Sequence, residues 1–374
     1  MLPILTGLRR KNLHNWLPSY VAQRLARMRS RQFTGLRHLL FAFCDHYEPL
    51  LGDAPMKVGE ARVSFWVENY PRLAQEFRDA DGLSPRHSFF FPADQYHPRL
   101  LDPLTLLTRQ GHGEVELHLH HEGDNSASLR EKLVEGIDKI GRHGHFSRDE
   151  DGRIRYAFIH GDWALANSRH GHHCGVDGEL PILFGTGCYA DFTFPSAPDE
   201  SQPRIINKIY WPTGDLTRAR CHEHGRPARV GEHFDDRLLM VQGPLALVPR
   251  LSRRPFRIEN GAVTARDPGT PSRVSTWVEQ NIHVRGRPEW VFVKAHTHGA
   301  PEDQAVSLLG EGGRTLHREL TTRYNDGVRW KLHYVTAHEM YNVIVAALHG
   351  HRGDPHAFRS FCLPPPPSWP SRQV

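Results

Sequence analysis

The feature that most constrains this chain is a recurring pattern. A short apolar run, rich in β-branched and aromatic residues, leads into a polar cluster and often into an amphipathic helical stretch. LRHLLFAF (36–43) leads into Cys44-Asp45-His46-Tyr47-Glu48-Pro49, and HSFFF (87–91) into Pro92-Ala93-Asp94-Gln95. EVELHLH (114–120) leads into His121-Glu122-Gly123-Asp124, IRYAFIH (154–160) into Gly161-Asp162-Trp163, and CYADFTF (188–194) into Pro195-Ser196. IINKIYW (205–211), LLMVQ (238–242) and WVFVKAH (290–296) complete the set. Short runs of this kind, closed by breakers, read as buried strands.

Helical periodicity fills several of the gaps. Val63, Trp66, Val67, Tyr70, Leu73 and Phe77 recur at steps of three and four. So do Leu129, Leu133, Ile137 and Ile140, after a Ser126 or Ser128 that can cap. Thr336 and Glu339 form a capping-box pattern ahead of Met340, Ile344, Ala347 and Leu348. Strand–helix alternation predicts an α/β fold with a parallel sheet. About eight strands without a GxGxxG fingerprint point to a distorted, TIM-barrel-like (β/α) barrel of roughly seven to eight parallel strands. The 374 residues fit one such domain.

The expected layout is a basic N-terminal helical arm over 1–34, one barrel catalytic domain over 35–362, and a Pro-rich tail over 363–374. A Pro- and Arg-rich excursion falls near 249–274, and the tail is expected outside the core. Tyr20–Arg31 reads as a helix docked on its own domain, with contact to an anionic membrane surface as the alternative. The net charge of +5 raises nucleic-acid binding, but Arg is spread thinly and no recognition module is visible. Five cysteines without a CxxC pair argue against a disulfide framework and a structural zinc ribbon. No signal peptide and no 18-residue apolar run are visible, so the expected setting is cytoplasmic, with membrane-peripheral contact through the arm as the alternative. The pattern sets no oligomeric state.

The chain carries 27 histidines, and several follow the C-terminal ends of predicted strands, where barrels build their sites. Residues two apart on a strand share a face, so His118 and His120 form an inward pair, with His121 beside them as a further metal ligand. Asp45 and His46 follow a buried run, where an unpaired carboxylate is costly and a metal would satisfy it. His160-Gly161-Asp162-Trp163 ends another strand; Asp162 can act on metal or substrate, and Trp163 can stack on a sugar ring. His296 and His298 share a face with Lys294, and either imidazole suits a general acid. Gly171-His172-His173-Cys174 offers a weaker second metal motif.

The order of these motifs resembles the polysaccharide deacetylase superfamily (carbohydrate esterase family 4 and its relatives), and more closely a bacterial branch of it. The resemblance rests on CDHYEP (44–49), ELHLHHEGD (116–124), FIHGDWALANS (158–168), CGVDGELPIL (174–183), GCYADFTFPSAP (187–198) and FVKAHTHG (292–299), and spans roughly residues 35–350. Two departures stand out. His46 replaces the second acidic residue of the first motif, and Glu122 stands where the second motif has its later histidine. The resemblance implies a metal-dependent hydrolase that removes acyl groups from a glycan or N-acetylated sugar, as in polysaccharide tailoring. It implies one divalent metal, Zn²⁺, held by ligands drawn from Asp45, His46, His118, His120 and His121. Asp45, Asp162, His296 and His298 are then the catalytic candidates, and Asp94, Trp163 and Asp191 the substrate-binding ones. Two alternatives stay open. One is a glycoside hydrolase using two carboxylates from Asp45, Glu48, Asp162 and Asp191. The other is a non-catalytic glycan-binding or biosynthesis protein.

Overall fold

Each of the eight apolar runs contributes a strand to one large sheet. A computed structural model describes residues 11–29, 33–249 and 256–370; the rest of the arm, excursion and tail expectations fall outside the described residues. The strands from these runs are β1 (Arg37–His46), β2 (His87–Pro92), β3 (Gly113–Leu119), β5 (Ile154–His160), β6 (Cys188–Asp191), β7 (Ile209–Pro212), β9 (Leu239–Val241) and β12 (Trp290–Thr297). The pattern missed β4 (Ser147–Arg148), β8 (Gly225–Pro227), β10 (Ala246–Pro249), β11 (Phe256–Glu259) and β13 (Trp330–Tyr334).

The sheet has eleven strands in the order β12-β1-β2-β3-β5-β6-β9-β7-β8, with β13 also paired to β1 and β4 to β5. Its main path is parallel from β12 to β9, but β7 runs antiparallel to both β9 and β8. The structure is therefore α/β with seven parallel strands on the main path and β13 parallel to β1, but its hydrogen-bond ladder is open, in place of the expected closed barrel. The reason lies in the connections. A parallel strand needs a crossover, usually helical, and among the described residues no α-helix lies between Gly185 and Pro271. That stretch folds back as antiparallel pairs instead.

The sheet nevertheless curls on itself. Leu40 and Ala42 of β1, Phe292 of β12, Ala157 and Ile159 of β5 and Ile209 of β7 share one buried core, although their strands lie far apart in the order. Irregular backbone spans the gap between the ends. Phe292 N–H donates to the Ile282 carbonyl (2.9 Å), while Arg285 N–H donates to Ala228 (2.8 Å) and its carbonyl accepts from Val230 (2.9 Å). Lys294 donates its Nζ proton to the carbonyls of Phe192 (2.5 Å) and Phe194 (3.1 Å), rather than pairing closely with a carboxylate.

The outer layer holds α2 (Met56–Ala74), α3 (Pro98–Arg109), α4 (Ser126–Gly141), α5 (Glu179–Gly185), α6 (Pro271–Glu279), α7 (Glu302–Leu309) and α8 (Glu311–Arg323). Asn125, rather than a serine, caps α4, with Ser128 reciprocating. α9 (Ala337–Leu348) is almost wholly buried against the inner core and begins with the expected Thr336/Glu339 capping box. α1 (Leu13–Arg29) docks through Trp16 and Tyr20 onto Ala197, Ile206 and Leu245, and leaves Val21, Leu25 and Met28 exposed. The Pro-rich tail is pinned rather than free. Leu363 joins the inner core, and Ser368 N–H donates to the Gly144 carbonyl at 2.9 Å.

Strand alternation then decides the site. Cys44 of β1 joins the inner core, and His46 two residues on takes the same side, whereas Asp45 faces the helices. The C-terminal ends of β1, β3 and β12 meet at one rim of the curl.

Candidate functional site

Glu48, two residues past His46, sits at the centre of this rim. Its Oε1 lies 3.4 Å from His118 Nε2, 3.7 Å from His120 Nε2 and 3.6 Å from His298 Nε2. The His46 ring packs 4.6 Å from His298 and 5.1 Å from His118, centroid to centroid. Two triads, His46–Glu48–His298 and Glu48–His118–His120, each bring three ligand atoms close enough to share an ion. The Nε2 atoms of His46 and His118 are buried and lack a hydrogen-bond partner. Buried polar atoms are rarely left so, and a bound cation satisfies both.

The far side of these rings is fixed. His118 Nδ1 meets the Ile159 carbonyl at 2.7 Å, which places its proton there and leaves Nε2 with a lone pair. His120 Nδ1 lies 3.2 Å from Asp94 Oδ2, and Asp94 Oδ1 also accepts from His120 N–H at 3.0 Å. Backbone or carboxylate partners of this kind orient metal-ligating histidines. Burial, then the neighbouring imidazoles of His298 and His118, lowers His46 well below its usual range. Burial also lowers His298, against the pull of Glu48 and Asp45. His120 goes the other way: burial opposes its charge, but Asp94 and then Glu48 raise it. Burial disfavours the Glu48 carboxylate too, yet His118, His298 and His120 bring it below the normal range.

The site opens outward. A cleft of about 290 Å³ is lined by His46, Glu48, Asp94, His120, Trp163 and His298. Through Trp163 and His298 it joins a larger cleft of about 760 Å³, where His296 also lies. His296 is 3% exposed, its Nδ1 has no partner, and burial, then Lys294, keeps it neutral. The Trp163 ring stands 5.9 Å from His46 and 5.8 Å from His298. Asp162 sits on the rim, in left-handed backbone (φ 52°), 3.2 Å from His173 Nδ1.

Two expected site residues stand apart from this cluster. Asp45 accepts from Gly299 N–H (2.7 Å) and meets His87 Nε2 (2.9 Å), so both its oxygens are engaged on the outer side of β1. There it holds the turn that carries His298. Asp191 is enclosed, accepting from the Thr193 backbone (3.1 Å) and hydroxyl (2.7 Å), and lines neither cleft. Burial raises its carboxyl to about 7, against the Thr193 hydrogen bonds.

His121 also parts from its neighbours. It turns to the outer face of the sheet, where its Nε2 lies 3.0 Å from His160 Nε2 and 3.3 Å from Glu179 Oε1. Cys174 Sγ lies 3.6 Å from Glu179 Oε2. All four side chains are buried, and their ligand atoms lie within 4.8 Å of one another. Glu48 as the hub, and His160 and Glu179, were not among the expected ligands; of the weaker motif Gly171-His172-His173-Cys174, only Cys174 joins a cluster. Glu48 was signalled by its two-residue spacing from His46; the Glu179–His160 meeting is tertiary and left no local pattern.

Comparison with protein-family models, curated proteins and solved structures finds no match. Fold and site together define an α/β protein whose buried His, Cys and Glu groups can hold a metal ion. Among the described residues no helix is long and apolar enough to cross a membrane.

Proposed function

We propose that this chain is a metal-dependent hydrolase that removes acyl groups from an N-acetylated glycan, with Zn²⁺ held around Glu48. One observation carries this reading: the unpartnered Nε2 atoms of His46 and His118 converge with Glu48, His120 and His298, and all of these but the fully buried His118 line an open cleft. Imidazole and carboxylate donors suit zinc, and catalytic zinc sites keep a position open to water or substrate. When bound, the metal polarises a carbonyl and lowers the pKa of a water molecule.

The remaining roles belong to the chain. Trp163 offers its ring as a platform for a sugar. Asp94 orients His120, and Asp45 anchors the His298 turn through Gly299. His296, neutral and with Nδ1 unengaged beside the cleft, takes the proton of the attacking water and gives it to the leaving amine. The curled sheet serves as the barrel of the superfamily the sequence resembles, with the site at its C-terminal rim. A carboxylate-pair glycosidase keeps Glu48 and Asp162 at the cleft, with Asp45 and Asp191 engaged elsewhere, but it leaves the unpartnered Nε2 atoms of His46 and His118 without a role.

The test is acetate release from a panel of N-acetylated sugars and oligosaccharides, with zinc, with a chelator, and after zinc is restored. The expected result is activity that the chelator abolishes and zinc restores. Metal-independent release of reducing ends, or zinc binding without acetate release from any substrate, would overturn the assignment.

A further inference from the structure

We propose that His121, His160, Cys174 and Glu179 form a second, closed metal site for zinc or a similar thiolate-binding divalent ion, which clasps the loop carrying Trp163. This inference stands whether or not the cleft is hydrolytic.

Three of the four ligand atoms already have the spacing of a metal shell, and Cys174 Sγ lies within 4.8 Å of them. Ligands at tetrahedral angles around zinc, with Zn–N near 2.0–2.1 Å and Zn–S near 2.3 Å, sit about 3.3–3.6 Å apart. The observed separations are 3.0 Å between the two Nε2 atoms and 3.3 Å from each to Glu179 Oε1. The outer atoms are held in place. His160 Nδ1 meets the Gly161 carbonyl at 2.5 Å, and His121 Nδ1 lies 3.1 Å from Asp124 Oδ2. Asp124 is itself bound by Ser128 and Lys132, each at 2.7 Å. With both Nδ1 atoms turned to acceptors, the two Nε2 atoms face each other at 3.0 Å beside Glu179 Oε1, an arrangement relieved either by a proton shared between them or by a metal ion held among all three. The sulfur accepts from Val176 N–H at 3.4 Å, which fixes its position in the cluster. Glu179 Oε2 accepts from Ala166 N–H at 2.6 Å, which leaves Oε1 for the ion.

The donor set argues for the class of metal. A thiolate with two imidazoles selects zinc-like ions over magnesium or calcium. None of the four residues lines either cleft described above, and all four positions are filled, which is the form of a structural site. On binding, the Cys174 thiol releases its proton to solvent as the S–metal bond forms. The segment from 161 to 178 has only short 3-10 turns, and Asp162, Trp163, Ala166, Asn167, His170 and His173 all have positive φ. A loop so irregular needs an external tie, and His160, Cys174 and Glu179 bracket it.

The experiment is zinc K-edge X-ray absorption and cobalt reconstitution of the full chain, beside Cys174→Ser and the cleft variant Glu48→Gln. The expected result is a sulfur at about 2.3 Å in the shell of one of the two zinc ions, an average of about half a sulfur per zinc. A thiolate-to-cobalt charge-transfer band should also appear, kept in Glu48→Gln and lost in Cys174→Ser. A shell of nitrogen and oxygen alone in the wild type would overturn the site and leave a proton-sharing ion cluster, and an unchanged band in Cys174→Ser would overturn the assigned sulfur. Should Cys174→Ser fail to fold, the wild-type and Glu48→Gln spectra decide by themselves. Sulfur is absent from the ligand set around Glu48, so failure of the cleft site does not mimic failure of this one.

Discussion

Two histidine clusters lie at the end of the same strand, and they differ in what they face. His118 and His120 turn inward to Glu48 and an open cleft, while His121 turns outward to His160, Cys174 and Glu179 and is sealed. One step along the chain separates a ring that lines an open cleft from a ring whose side chain is sealed. The lesson is one of period: a strand sends neighbours to opposite faces, so an HxHH sequence supplies two sites rather than one.

That contrast can be broken most sharply by a matched pair of substitutions. Glu48→Gln should lower turnover by about 10²-fold or more while leaving the melting temperature close to wild type. Glu179→Gln should instead cost about 3–5 kcal/mol of stability, because its cluster is sealed and no cleft water can replace the lost carboxylate, as it can beside Glu48. Equal melting temperatures for the two variants would erase the distinction. Chelation gives a related contrast in time. Activity should fall as the open site empties, before the thermal transition moves, and a simultaneous loss of both would place the ions in one compartment.

Asp94→Asn probes the open cluster alone. By loosening His120 it should weaken metal affinity by roughly 10–100-fold, measured by chelator competition, with little change in fold stability. The smallest expected effect separates both clusters from the background of acid unfolding. Burial works against the charge of Glu339, but Arg86 and Arg359 outweigh it and bring the carboxyl down to about 2. A carboxyl held low in the fold contributes stability above its unfolded value near 4.5, and loses it as pH falls toward 2. In Arg359→Met this loss should be smaller than in wild type, on top of a lower stability at neutral pH. An unchanged acid profile would remove Glu339 from the account.

Much of the fold was legible, because each of the eight apolar runs carries a strand. The open end of the ladder was not, because strand–helix alternation stops after β6, where short irregular connections reverse the chain. The site was legible where period two held: His46, His118, His120, His296 and His298 all come to the inner rim. Asp45 was misplaced by one residue of that same period, its side chain passing to Gly299 and His87. Glu48 lies just past the strand, where alternation still runs but no apolar pattern marks it. Glu179 opens a helix far along the chain from His121, and only tertiary packing brings them together.

The central claim is that the inward cluster holds a metal ion. Anomalous diffraction at the zinc edge, from crystals grown with zinc, tests it most directly. The account predicts a peak about 2.0–2.2 Å from Glu48 Oε1 and His118 Nε2, with its remaining coordination facing the Trp163 cleft. Zinc-loaded crystals with no anomalous peak at Glu48 would contradict it.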